Sequence, residues 1–164
     1  ERWGYRPVTL AGLVLCAVAF ALMGSSWQAT AVGVHTPYGQ MAWQLVILGM
    51  GFGLVIAPVG TAVINAAPPD QRGIASSLVI VMRLMGMSVG LSALTAWGLR
   101  RFDVLRGQIT LPDLPLTDPG YQQAIVDGLT QVTVAVLAET FLVSALLTTL
   151  AWLIALALKL ETEN

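Results

Sequence analysis

The chain has 164 residues, 56% hydrophobic and only 10% charged, against roughly 25% charged in soluble domains. A formal charge of -1 excludes the basic footprint that neutralises nucleic-acid phosphates, and the single cysteine, Cys16, excludes an internal disulfide or a thiolate zinc cluster. With a mean hydropathy of +0.77, the predicted fold class is all-α: a polytopic bundle of four transmembrane helices whose first partner is the lipid bilayer.

Glu1 stands first where a start methionine would, with no basic leader and cleavage site, so the chain reads as beginning inside a longer protein. A bilayer core of about 30 Å needs about 20 apolar residues in a helix. Four stretches meet that length: 8–27, 41–67, 74–99 and 132–158. The first two carry no charge, the third only Arg83 and the fourth only Glu139. Being apolar on nearly all faces, they do not match the single stripe of a soluble helix. Residues 28–40 lack Lys and Arg, 68–73 is a tight connection, and 100–130 reads as a long extramembrane loop with Pro112, Pro115 and Pro119. Inside that loop, Asp118-Pro119 marks a helix start, predicting a short interfacial helix ahead of the fourth span. Four spans place Arg2, Arg6, Arg72 and Lys159 on one side and Arg100, Arg101 and Arg106 on the other. The charge-free first loop then assigns both ends to the cytoplasm. Trp3, Tyr5, Trp27, Tyr38, Trp43 and Trp97 fall near span ends and read as lipid anchors.

The residues that might carry chemistry are few. The second span holds Gly49, Gly53, Pro58 and Gly60, and the third Gly86 and Gly90. Such glycines either let helices pack closely or line a moving or cavity-facing surface. Arg83 lies about 13 Å into its span and Glu139 about 10 Å into the next from the other side. Buried charges of this kind either pair with each other or mark a substrate or proton path. Asp70 is expected to cap the third span beside Arg72. His35 reads as a solvated loop histidine, and no phosphate loop, catalytic triad, paired carboxylates or metal spacing occurs. Neither an enzyme nor a cofactor is expected.

Taken together, Glu1-Arg2-Trp3-Gly4-Tyr5-Arg6-Pro7 resembles the tail of the cytoplasmic loop motif of the major facilitator superfamily. Pro68 to Gly73, Ala75-Ser76-Ser77 and Arg83-Leu84-Met85-Gly86 resemble late spans of its fourteen-span drug:proton antiporter branch. The likeness is good over 1–99 and extends to the rest only in layout. It implies a C-terminal fragment of an inner-membrane transporter exporting small organic molecules in exchange for protons, completed by missing N-terminal helices. It further implies that the second and third helices flank the central cavity, and that Arg72 latches an acidic residue of the other half. A four-helix scaffold or assembly subunit without transport is the alternative.

Overall fold

The computed structural model describes residues 5–27, 38–109 and 119–161. It is all-helical: α1 (Tyr5–Ser26), α2 (Tyr38–Ala66), α3 (Arg72–Arg106) and α4 (Pro119–Glu161), with one 3-10 turn (Pro69–Gln71) between α2 and α3. All four are long and apolar enough to cross a membrane. Helix is the form this composition must take in lipid, because only a helix satisfies its backbone N-H and C=O groups within one segment. Hydroxyls follow the same rule. In α4, Thr130, Thr133, Thr140, Ser144, Thr148 and Thr149 each donate to the carbonyl four residues back, at 2.7 to 2.9 Å.

Two of the spans are longer than the sequence reading places them. α3 has 35 residues and α4 43, which at 1.5 Å per residue is roughly 52 and 65 Å, against a hydrocarbon core of about 30 Å. The presumed loop 100–130 is therefore mostly helix, because α3 continues to Arg106 and α4 already starts at Pro119. Residues 119–131, where the sequence predicts a separate interfacial helix, are the uninterrupted N-terminal part of α4. Pro119 does occupy the first helical position, where its missing N-H costs nothing. Asp118 lies outside the described residues. The two helix ends meet beyond the apolar stretches. A Cβ at Gly128 would sit 3.0 Å from Ile109 Cγ2, and a cavity of about 430 Å³ between Phe102, Ile109, Ile125 and Leu129 is overhung by Arg106.

α1 is the centre of the packing and contacts both α2 and α4 extensively, whereas α3 is attached more lightly, to α2 and to α4. The buried apolar residues Cys16, Ala19 and Met23 lie along one side of α1. Contact with α2 is tight because two glycines face each other. A Cβ at Gly12 would fall 2.9 Å from the Gly51 carbonyl oxygen, and one at Gly51 would fall 2.8 Å from Cys16 Sγ. At the other end of α1, Gln44 is fully buried. It accepts from Trp27 Nε1 and donates to Ser26 Oγ, both at 2.9 Å, and Ser26 donates to the Leu22 carbonyl at 2.6 Å. Trp27 also meets Phe141 edge to face at 5.0 Å. It therefore clamps three helices together and is not the lipid anchor expected from its position.

Candidate functional site

α2 and α3 run antiparallel, because only the short segment Ala67–Gln71 joins them. The Gln71 N-H donates to the Pro68 carbonyl at 2.9 Å and closes the 3-10 turn. Gln71 is then the N-cap of α3, without a side-chain cap bond. Asp70 is not the cap: the turn places it one residue too early for its carboxylate to reach the first free amides of α3. Arg72 is the first residue of α3 and is exposed.

From this turn the two helices enclose a groove of about 390 Å³, walled by Val55, Val59 and Val63 of α2 and Leu78 and Met82 of α3, with Arg83 at its margin. Arg83 has no ion pair among the described residues. It stands eleven residues into α3, roughly 16 Å from the helix start, where a lipid-facing charge costs about 3 kcal/mol or more. The glycines do not pack as a close seam. A Cβ at Gly49, Gly53, Gly86 or Gly90 would meet nothing within 4 Å, and one at Gly60 only Val79, at 3.9 Å. Pro58 borders a second cleft of about 220 Å³ between α1, α2 and α4, beside Arg6, Leu10 and Ala155.

Glu139 does not meet Arg83. Its carboxylate accepts from Arg101 Nε at 2.6 Å and Nη2 at 2.8 Å, a bidentate pair between α3 and α4. With side chains 40% and 35% accessible, the pair is half-open and ties the end of the third apolar stretch to a point about 10 Å inside the fourth. Arg101 was missed because the sequence reading places it in a loop; its signal was that no Gly or Pro stands between Gly98 and Gly107. Gln44 was missed too, although an amide among apolar residues signals an interhelical hydrogen bond. Gly12 gave no signal separable from that of Gly49 or Gly53.

Four long apolar helices in antiparallel succession, with hydroxyls satisfied inside their own helices and a charge held within the apolar zone, define a multi-pass membrane protein. No protein-family model matches the chain. It is 41% identical over 130 residues to a triacylglyceride transporter of Mycolicibacterium hassiacum, covering 75% of this chain and 24% of that protein. It is 32% identical over 170 residues to a probable triacylglyceride transporter of Mycobacterium leprae, covering 98% and 33%, and 36% identical over 134 residues to a triacylglyceride transporter of Mycolicibacterium smegmatis, covering 79% and 23%. The chain thus spans 23% to 33% of the length of these curated relatives.

Proposed function

We propose that this chain is the C-terminal membrane portion of a secondary active transporter that exports small organic molecules or lipids by alternating access. The observation that carries this reading is the match to proteins named as transporters, one of them across 98% of the chain. Four spans with an unpaired cation and two facing glycine-bearing helices suit one part of such a protein and not a self-sufficient enzyme. The names of the relatives make triacylglyceride the substrate to try first, with amphipathic drugs second. Exchange against protons is the coupling proposed, with the proton carried outside these spans, since Glu139 is occupied by Arg101.

The proposal extends to family and topology: a major facilitator transporter of the bacterial inner membrane, both ends of this portion cytoplasmic. Arg72, exposed at the α3 start beside the free amides of its first turn, then receives an acidic residue of the other half and holds the outward-open state. Reconstituted full-length protein tests the reading. Under an inward-acidic proton gradient it should move a labelled triacylglyceride or a cationic dye across the vesicle membrane and release the movement on collapse of the gradient. Gradient-independent behaviour refutes the antiport, and no movement of either substrate refutes transport in favour of a scaffold.

A further inference from the structure

We draw no further inference here: the strongest candidate, the apolar cavity beneath Arg106 where the C-terminal end of α3 meets the N-terminal part of α4, lies in a chain that spans 23% to 33% of the length of its relatives, and nothing in the structure shows what covers it.

Discussion

Single positions separate packing glycines from path glycines. Leu at Gly51 must displace Cys16, whose Sγ and backbone nitrogen would lie 2.8 and 2.9 Å from the first added carbon. Overpacking of this kind costs about 1–3 kcal/mol, so Gly51→Leu should lower the thermal unfolding midpoint in detergent by several degrees. Gly53→Leu meets open space and should leave that midpoint unchanged. In the full-length protein, on the transport reading proposed above, it should nevertheless reduce efflux at a normal membrane level by crowding a face of α2 that no described residue fills; unchanged efflux returns Gly53 to a passive role. Sequence spacing singled out Gly49 and Gly53, four residues apart, and passed over Gly51, the glycine that packs on α1; only the rotation of α2 against α1 tells them apart.

At the level of elements, α4 and its tie to α3 make two predictions. If α4 is continuous through residue 131, Gln131→Pro removes a helix-interior hydrogen bond and costs about 3 kcal/mol. A sharp loss of folded protein in the membrane fraction is the expected result, whereas two separate helices meeting there would accept the proline. The Arg101–Glu139 pair holds the C-terminal part of α3 on α4, where a Cβ at Gly98 would lie 3.7 Å from Val136 Cγ1. The pair is half-open, and loss of one partner leaves the other charge unpaired beside the apolar stretches. In a Cys16→Ser background, oxidative cross-linking of Gly98→Cys to Val136→Cys should fall with Arg101→Glu or Glu139→Arg alone. The two together should restore it, and equal yield in all four proteins would show that the pair does not position α3.

For the whole molecule the predictions concern sidedness and the latch. Gln108→Cys, exposed just past α3, should react with an impermeant thiol reagent on intact cells while Glu163→Cys is protected; the opposite pattern inverts the topology. Arg72→Ala in the full-length protein should shift the balance toward the inward-open state and slow turnover several-fold, since a contact at a helix N-terminus is worth about 1 kcal/mol. Proton-driven efflux measured together with accessibility of an outward-side cysteine reads both effects. Normal values of both in Arg72→Ala would leave Arg72 only its part in orientation.

Composition alone determined that the chain is helical and crosses a membrane, because apolar residues in runs of this length have no other way to satisfy their backbone in lipid. The four helix centres, the tight turn before α3 and the oddity of Arg83 and Glu139 followed from the same rule. Where α3 and α4 stop did not follow. Residues 100–106 and 119–131 are polar enough to read as loop, and they are helical where the two ends lie against each other, as at Ile109 and Gly128. Partner choice was likewise a tertiary decision. Counted from the presumed span ends, Glu139 came within a turn or two of Arg83, yet it lies level with Arg101, roughly 27 Å further along α3. Depth along a helix can be counted in the sequence only once the helix ends are known; which neighbour a residue meets, and at what level, depends on the register and tilt of helices packed together, and that exists only in the folded bundle.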